Sequence, residues 1–447
     1  MTTADRQQGT PSTLDWPMPT PVHWSVNRIK WSVSGLIGGT WGNEPNGIDD
    51  LICVRVADFD RNRYTVVDAP PTLRAIEAKE RGRRLLRPGD LLIEKSGGGD
   101  NQPVGCVVEF SHTFAAVCSN FIGRLPIATG MWPRYWTYVH ATLYSGHFNV
   151  PAIKQTTGIQ NLDTEAYFNL RVPYPPTCEQ RAIASYLDRE TARLDAMVAA
   201  KERVLGLLAE KRRGLITRAV TRGLDSHVPL SESGLPWLGE IPAHWKLVPL
   251  RFLVDIFGGA TPNTGKPELW DGDIPWVSPK DMKKEEITDT EDHVSLEALK
   301  GSALRLIDPI VVLIVVRGMI LVHSFPTATT TRQVTINQDM KALRCRPSLA
   351  PHFLRNFFWG LESHLVSLVD SAAHGTRKME TEALGRLEVC VPPIEEQLAI
   401  VKYIDDSNAR LDQLRGATER TINLLKERRA ALIAAAVTGQ INLEAMT

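Results

Sequence analysis

Small polar and basic residues occur in loops after predicted strands, in two separate parts of this 447-residue sequence. In the first part, the candidates are Thr40, Lys95, Ser96, Gly97, Asn120 and Gln160. In the second part, they are Thr261, Lys280, Arg317, Asn337, Gln338, Thr376, Arg377 and Lys378. Hydroxyl, amide, ammonium and guanidinium groups form hydrogen bonds with phosphate oxygens and with base edges in DNA. Each residue alone is typical of a solvated loop, but together they predict a DNA-contacting surface in each part.

No pattern typical of a catalytic centre occurs in the sequence. The run Lys-Ser-Gly-Gly-Gly at 95–99 could hold a phosphate through backbone amides, but no Lys-Ser/Thr pair follows, which favours a flexible turn. Neither G-x-S-x-G nor H-E-x-x-H is present, and no Pro-Pro pair has the neighbours of a methyltransferase active site. The six cysteines form no C-x-x-C pair, so we expect buried, reduced thiols and no metal site. The sequence therefore predicts a protein that is not an enzyme.

The overall charge is balanced, with 51 Lys plus Arg against 51 Asp plus Glu. A protein that coats nucleic acid without selectivity is usually strongly basic. The balance therefore favours a selective reader whose positive charge is local. The apolar run 310–322 is interrupted and too short to span a bilayer, and the N-terminus has no signal-peptide core. We expect a cytoplasmic protein without a membrane partner.

The elements that must position the candidate residues occur twice in the sequence. The segment 175–183 resembles the segment 392–400, and the ungapped match at an offset of 217 residues continues to Thr221 and Thr438. The motif Pro-x-His-Trp precedes each copy, at 21–24 and at 242–245. The sequence thus predicts two copies of one unit, each a recognition body followed by a long helix.

The Pro-Pro pairs at 175–176 and 392–393 each precede a predicted helix of more than 40 residues, with apolar residues at intervals of three and four. Thr177 and Gln180 have the spacing of a capping box, which Ile394 interrupts in the second copy. At about 1.5 Å per residue, each helix extends roughly 60 Å and needs a partner for its apolar stripe. We expect the two helices to pack as an antiparallel coiled coil, which would relate the units by a pseudo-two-fold axis.

The predicted fold class is α+β, with two tandem mixed α/β recognition domains separated by the two long helices. Predicted strands include 51–57, 90–95, 115–118, 274–278, 310–316 and 334–337, and predicted shorter helices are 133–145 and 350–368. The predicted segments are a flexible N-terminus 1–20, domain 21–176, helix 177–222, linker 223–241, domain 242–393, helix 394–440 and tail 441–447.

The loops of the first body correspond to those of the second in outline. The pairs are 38–40 with the loop starting at 258, Asp58 with Asp281, 95–98 with 317–318, 119–120 with 337–338, and 158–161 with 375–378. Trp270 and Trp276 are predicted to lie in the core of the second body. Trp276 has no clear aromatic counterpart near Cys53 in the first body. A common frame with different polar residues is expected if each body reads a different sequence.

The chain resembles the specificity subunit of type I restriction-modification systems from Pro21 to Leu443. The resemblance is carried by the run Ser-Gly-Leu-Pro-Trp-Leu-Gly-Glu-Ile-Pro-Ala-His-Trp at 233–245, the segment 272–282 and the two Pro-Pro-x-x-Glu-Gln helix starts. The basic helix segments 211–213 and 427–429 are similar to the family too. The resemblance implies two target-recognition domains, each reading one half of a split target in double-stranded DNA.

The resemblance also implies partners and cofactors outside this chain. The helix pair would fix the spacer and dock two modification subunits, which carry S-adenosylmethionine and methylate adenine. Restriction subunits that use ATP and Mg²⁺ could join them. No cofactor is expected in this chain. The alternatives are a fused methyltransferase or nuclease fragment, which would need a cofactor pocket, and a coiled-coil scaffold, against which the two large bodies argue.

Overall fold

A computed structural model describes residues 20–99, 102–156, 158–300, 303–371 and 377–441. The chain forms two compact units. Unit 1 comprises the residues up to Lys201 and those from Arg420 onward, and unit 2 comprises Glu202–Glu419. Residues 1–19 of the predicted N-terminal segment, residues 442–447 of the predicted tail and the candidate Thr376 lie outside the described residues.

The long predicted helices are present, and the body helices are close to the predicted ones. Helix 133–145 has the predicted bounds, whereas the predicted helix 350–368 is divided at Leu361. The α-helices of the described residues are α1 Ala78–Arg81, α2 Pro133–Ser145, α3 Thr164–Phe168, α4 Thr177–Arg222, α5 Leu296–Lys300, α6 Pro351–Gly360, α7 Glu362–Ser367, α8 Thr381–Arg386 and α9 Ile394–Val437. No helix among the described residues is long and apolar enough to cross a membrane.

Unit 1 is built on a six-stranded sheet in the order β2-β11-β7-β9-β5-β4, with smaller sheets β10-β3-β6 and β12-β13-β8 and the pair β1-β14. The strands are β1 Ser25–Arg28, β2 Ile37–Gly38, β3 Asp50–Val54, β4 Phe59–Asp60, β5 Thr65–Val66, β6 Leu73–Ala75, β7 Asp90–Glu94, β8 Ser96–Gly97, β9 Val107–Phe110, β10 Ala116–Cys118, β11 Ile122–Leu125, β12 Ile153–Thr156, β13 Ile159–Leu162 and β14 Arg171–Tyr174.

Unit 2 is built on a five-stranded sheet in the order β18-β25-β22-β23-β20, with a smaller sheet β21-β19-β24 and three strand pairs, β15-β16, β17-β28 and β26-β27. The strands are β15 Leu230–Glu232, β16 Glu240–Pro242, β17 Lys246–Pro249, β18 Val254–Gly258, β19 Ile274–Val277, β20 Glu286–Ile287, β21 His293–Val294, β22 Val312–Val315, β23 Thr327–Thr330, β24 Thr335–Ile336, β25 Met340–Cys345, β26 Asp370–Ser371, β27 Arg377–Lys378 and β28 Glu388–Val391.

The two bodies share one strand register, although short insertions separate their sequences. In unit 1, Gly123 of β11 lies opposite both Gly38 and Ile93. In unit 2, Lys341 of β25 lies opposite both Gly258 and Ile314. The parallel pairs β3-β10 and β19-β24 also correspond. The second body therefore repeats the frame of the first, strand for strand, at the centre of each sheet.

The largest sheet of each unit packs against a helix that begins with proline, a residue that is favourable at the first helical position. In unit 1, α2 begins at Pro133 and buries Trp136 completely. In unit 2, α6 begins at Pro351 and buries Phe357 completely. Truncating a fully buried aromatic residue of this kind to alanine costs about 3–5 kcal/mol. Each helix therefore anchors the central strands of the largest sheet in its unit.

Within each unit, segments of α4 and α9 pack antiparallel, as the sequence predicts. In unit 1, Glu179 near the start of α4 accepts a hydrogen bond from the Trp24 indole at 2.7 Å, and Gly439 just after α9 lies against the same indole. Further along, Asp195 of α4 pairs with Arg429 of α9 at 2.9 Å. Residue numbers therefore increase along α4 in the direction in which they decrease along α9, so the two segments run antiparallel.

Unit 2 repeats this arrangement with the other ends of the two helices. The Trp245 indole donates to Glu396 at 3.1 Å, and Gly223, just after α4, lies against that indole. Arg212 of α4 pairs with Asp412 of α9. The Pro-x-His-Trp motif thus has a structural role, because its tryptophan joins the start of one helix segment to the end of the other.

The capping box predicted from Thr177 and Gln180 is wrong. The Thr177 hydroxyl donates to the carbonyl of Gly130, and the buried Gln180 amide accepts from the Trp132 N–H at 2.9 Å and donates to the Pro175 carbonyl at 2.9 Å. The partner of Gln180 lies 48 residues earlier, at the start of α2. The glutamine therefore fastens the long helix to the body helix instead of capping its own helix.

Candidate nucleic-acid interface

A Gly-Gly turn brings the first candidate loop onto the end of the parallel strand pair in each unit. A Cβ at Gly39 would overlap the carbonyl oxygens of Cys118 and Ser119, and a Cβ at Gly259 would overlap those of Ile336 and Asn337. Only glycine allows this close approach of two backbones. The next residue then donates its N–H across, from Thr40 to Cys118 at 2.8 Å and from Ala260 to Ile336 at 3.0 Å.

A tight turn ends the neighbouring strand in both units, although the sequence predicts that the first strand continues to residue 57. In unit 1, β3 ends at Val54, and the Asp58 carboxylate accepts from the Arg55 N–H at 2.7 Å. In unit 2, Asp281 accepts from the Ser278 N–H at 2.9 Å. A carboxylate four residues after the last strand residue closes the turn in each case. The correspondence of Asp58 with Asp281 is therefore a structural one.

The missing counterpart of Trp276 is Cys53 itself. The two residues occupy the same register position, with Cys53 opposite Val117 and Trp276 opposite Thr335. The Trp276 indole donates to the Ala260 carbonyl at 3.0 Å, and the Cys53 thiol lies 3.6 Å from the Thr40 carbonyl as a weaker donor. Burial raises the pKa of Cys53 to about 11, so the thiol keeps its proton. Both side chains fasten the Gly-Gly loop, and both are core residues.

Several unit 1 candidates converge on one open cavity of about 900 Å³. Ser96, Gly97 and Ser119 line it, and the exposed Asn120 follows directly after Ser119. Lys95 directly precedes this lining segment. Thr40 lies beside the lining residue Trp41, and its hydroxyl donates to Glu80 at 3.0 Å. The structure thus brings together the loops that the sequence selected in the first body.

Two candidate amides are buried and already engaged within the protein. Gln160 is 7% exposed, and its side-chain oxygen accepts from the Val104 N–H at 3.3 Å. Asn337 is 6% exposed, and its side-chain oxygen accepts from the Asp339 N–H at 3.0 Å. Buried polar groups are usually satisfied in this way. Asn120 and Gln338, which are exposed beside the same turns, are better placed to meet a ligand.

The basic candidates of unit 2 have acidic neighbours on the protein. Lys280 pairs with Asp292 at 2.9 Å and with Glu291 at 3.2 Å, and these hydrogen bonds raise its pKa. Arg317, about half exposed, lies 3.8 Å from Asp339. Surface pairs of this kind contribute about 0–1 kcal/mol, so a phosphate can replace the carboxylate partner at little cost.

The remaining described candidates of unit 2 lie next to the candidates already placed. Thr261 donates its hydroxyl proton to the Gln338 side chain. Arg317 bridges to Lys378 through the backbone, and the Arg377 carbonyl accepts from the Gly318 N–H at 3.1 Å. In unit 1, β8 pairs with β13 in the corresponding way, Ser96 opposite Asn161. The structure therefore places 96–97 in the position of 317–318, and 160–161 in the position of 377–378, as the sequence predicts.

Sequence reasoning missed the charged pair beneath the unit 1 cavity. Glu94 ends the buried strand β7, is 1% exposed and accepts from Arg61 at 2.9 Å. Burial raises the pKa of the Glu94 carboxyl, and the Arg61 guanidinium opposes that rise. The available signal was an acidic residue directly after Leu91-Leu92-Ile93, because a buried charge is rare unless it is paired.

Exposed apolar residues recur on the long helices at the 217-residue offset. In unit 1, Met197 of α4 and Leu424 of α9 are 46% and 64% exposed. In unit 2, Leu207 of α4 and Leu414 of α9 are 57% and 55% exposed. Met197 corresponds to Leu414, and Leu207 corresponds to Leu424. The same helix positions thus stay uncovered in both copies.

Comparison with known proteins finds a family model and relatives that all come from type I restriction-modification systems. Residues 242–423 match the family model "Type I restriction modification DNA specificity domain". The Type I restriction enzyme EcoR124I/EcoR124II specificity subunit of Escherichia coli is 30% identical over 45% of this chain. The aligned part covers 47% of that relative, about half its length. A putative type I restriction enzyme specificity subunit of Methanocaldococcus jannaschii is 21% identical over 91% of this chain and 93% of its own length.

Solved structures show the same fold. A chain in a structure of a type I R-M system matches with a TM-score of 0.68 and 19% identity, covering 95% of this chain and 100% of the other. The HsdS subunit from Thermoanaerobacter tengcongensis matches with a TM-score of 0.56 and 17% identity, covering 95% and 99%. The chain is therefore similar to type I restriction-modification specificity subunits in the sequence of its matched domain, and it shares its fold with the solved structures over nearly its whole length.

Proposed function

We propose that this chain is the DNA-specificity subunit of a type I restriction-modification complex, in which each unit reads one half of a bipartite target in double-stranded DNA. The observation that carries the proposal is the repetition of one strand frame with different side chains at the same loop positions. Ser96 of unit 1 stands where unit 2 has Arg317, and Trp41 stands where unit 2 has Thr261. Base edges are distinguished by the donors and acceptors that such positions present.

The chain would recognise DNA, and partner subunits would do the chemistry. The relatives reported above are specificity subunits, so we do not propose the alternative of a fused methyltransferase or nuclease fragment. We propose that S-adenosylmethionine is carried by modification subunits, and that ATP and Mg²⁺ are used by restriction subunits where these are present. The complex would act in the cytoplasm, where the DNA is accessible to it.

Two modification subunits are a suitable partner set because the exposed apolar positions of the long helices are duplicated. Single exposed apolar residues are common on protein surfaces. The same exposed positions in both copies, such as Met197 with Leu414, instead suit two copies of one partner. We therefore propose that each unit offers one docking surface to one modification subunit.

The decisive test is co-expression of the chain with the modification subunit from the same locus, followed by genome-wide mapping of methylated adenines. The proposal requires a two-part motif with a fixed gap. A contiguous motif, or an active complex that gives no motif, would contradict it.

Replacing Arg317 by alanine should weaken binding of the target duplex about tenfold and relax selectivity in one half of the motif. The reason is that a guanidinium on a base edge contributes about 1–3 kcal/mol of discrimination. Fluorescence anisotropy with the mapped duplex measures the change. Arg386→Ala is the matched control, because Arg386 is an exposed arginine of the same unit that pairs with Glu382 on its own helix. Equal affinities for the two variants would remove Arg317 from the reading surface.

We further propose that α4 and α9 fix the number of base pairs between the two half-sites. The helices contain 46 and 44 residues, and about 1.5 Å per residue makes a seven-residue segment roughly 10 Å long. Deleting 198–204 and 415–421 together should shorten the methylated motif's gap by up to about three base pairs, at about 3.4 Å per base pair. Methylation mapping reads the gap directly. A deletion variant that stays active with an unchanged gap would refute the ruler function.

A further inference from the structure

The cavity of unit 1 has the lining of a nucleobase site. Its volume of about 900 Å³ lies within the range of sites that bind small molecules. We propose that, in the reading function proposed above, this cavity takes one base of the unit 1 half-site turned out of the duplex. The base would carry an exocyclic amino group, as adenine, cytosine and guanine do.

The floor of the cavity offers both an acceptor and donors to a base edge. The Glu94 carboxylate accepts from Arg61 at 2.9 Å and from the backbone N–H groups of Gly98 and Cys106. An ionised carboxylate has about four acceptor positions, so one position remains for a base. The Nε atom of Arg55 is buried and has no hydrogen-bond partner among the described residues. The Ser119 side chain also lines the cavity. An amino group facing Glu94 and a ring nitrogen or carbonyl oxygen facing Arg55 would satisfy both.

The rim offers stacking surfaces. Trp41 and Phe121 line the cavity and are 39% and 46% exposed, so both rings are accessible to a ligand. A base that leaves the duplex loses its stacking on neighbouring bases, and aromatic side chains in a pocket restore it. Arg74 lies over the Trp41 ring at 4.7 Å, which fixes the indole at the rim.

Depth is the reason that the base must leave the duplex. Glu94 is 1% exposed and lies on strand β7 beneath the lining segment of Gly97. A base edge in an intact major groove is recognised by side chains that project from the protein surface. The carboxylate of Glu94 does not project, so only a group that enters the cavity reaches it.

Unit 2 does not have this chemistry at the corresponding positions. Val315 takes the place of Glu94, Asp339 takes the place of Phe121, and the exposed Arg317 takes the place of Ser96. The surface of unit 2 therefore suits reading from the groove. The two units would differ in mode of recognition as well as in sequence preference.

The test uses the full chain in complex with its modification subunits and duplexes of the mapped motif. One series carries 2-aminopurine at each position of the unit 1 half-site, since its fluorescence rises on leaving the stack. A second series replaces the base opposite each position by an abasic site. At one position we expect a several-fold rise in fluorescence. At the same position the abasic partner should strengthen binding by about tenfold, because the base pair no longer has to be broken.

Methyltransferases turn the base that they modify out of the duplex, so the modification subunits would also unstack one base. Two variants separate the cavity from that effect. The double substitution Trp41→Ala with Phe121→Ala removes exposed rim aromatics without touching the core, and both signals should be lost at that position alone. Glu94→Gln should lower the affinity about tenfold when the base there has an amino group. Trp31→Ala is the control, because Trp31 is 58% exposed in the same unit and does not line the cavity. It should leave both signals unchanged.

The outcomes distinguish this inference from the proposed function. Normal duplex binding with no position that depends on Trp41 and Phe121 overturns the cavity's role and leaves half-site reading intact. Failure of the complex to bind any duplex overturns the proposed function and the inference with it. Tight binding of free dAMP, dCMP or dGMP in the cavity, unaffected by the duplex, would assign it to a free nucleotide and overturn the inference.

Discussion

Replacing Gln397 by leucine should lower the free energy of unfolding of unit 2 by about 3 kcal/mol or more. Gln397 is fully buried. Its amide accepts from the Ala350 N–H at 2.8 Å and donates to the Pro392 and Ser348 carbonyls, each at 2.9 Å. Leucine has a similar size but would leave three backbone groups without partners, and each unsatisfied buried group costs about 1–3 kcal/mol. A loss of this size is a large fraction of the 5–15 kcal/mol that stabilises a typical domain.

Urea denaturation of the full chain, followed by hydrogen exchange of α6 peptides, measures this effect and locates it. Gln413→Leu is the matched control, because Gln413 is exposed on the same helix, and a surface change of this kind is expected to stay within about 0.5 kcal/mol. Gln180→Leu should have the same effect in unit 1, where the N–H of Trp132 loses its partner. If Gln397→Leu were as stable as the control, the amide would not fasten the two helices.

The behaviour of this glutamine marks the limit of sequence reasoning about the fold. The bounds of α4 follow from the sequence, because the Pro-Pro pair starts it, no proline interrupts it and its apolar residues recur with helical spacing. The hydrogen bond from the Trp132 N–H to Gln180 does not follow from the sequence, because the donor lies 48 residues away and is a backbone group. Capping rules describe only local partners, so they assigned Gln180 to its own helix end.

A similar limit applies to the candidate interface. Strand ends with small and polar residues were sufficient to select the loops of residues 40, 96 and 120, which lie at or next to one cavity. Burial was not predictable, since an amide such as Asn337 can face solvent or support its own turn. The correspondence of Cys53 with Trp276 also needed the strand register, because the two side chains share no size or chemistry.

Exchanging residues 25–174 for the first body of another family member should change one half of the methylated motif and leave the other half unaltered. The boundaries keep β1 and β14 together, since these strands pair along their whole length. They also leave in place the bonds from the His23 and Trp24 rings to Glu179, at 2.9 and 2.7 Å. Gln180 needs only a backbone N–H from the incoming body, which any residue except proline provides. Long-read mapping of methylated adenines reads both halves in one experiment.

The reciprocal exchange of residues 246–391 is the control, and it should change the other half alone. Its boundaries are equivalent, because β17 and β28 pair as β1 and β14 do, and His244 and Trp245 stay bonded to Glu396. Each exchange replaces a complete set of loop side chains, so we expect complete replacement of one half-site rather than a graded loss of selectivity. A single exchange that altered both halves would mean that bases are read by a surface shared between the bodies. Independent reading requires that the two exchanges combine into a motif with both halves new.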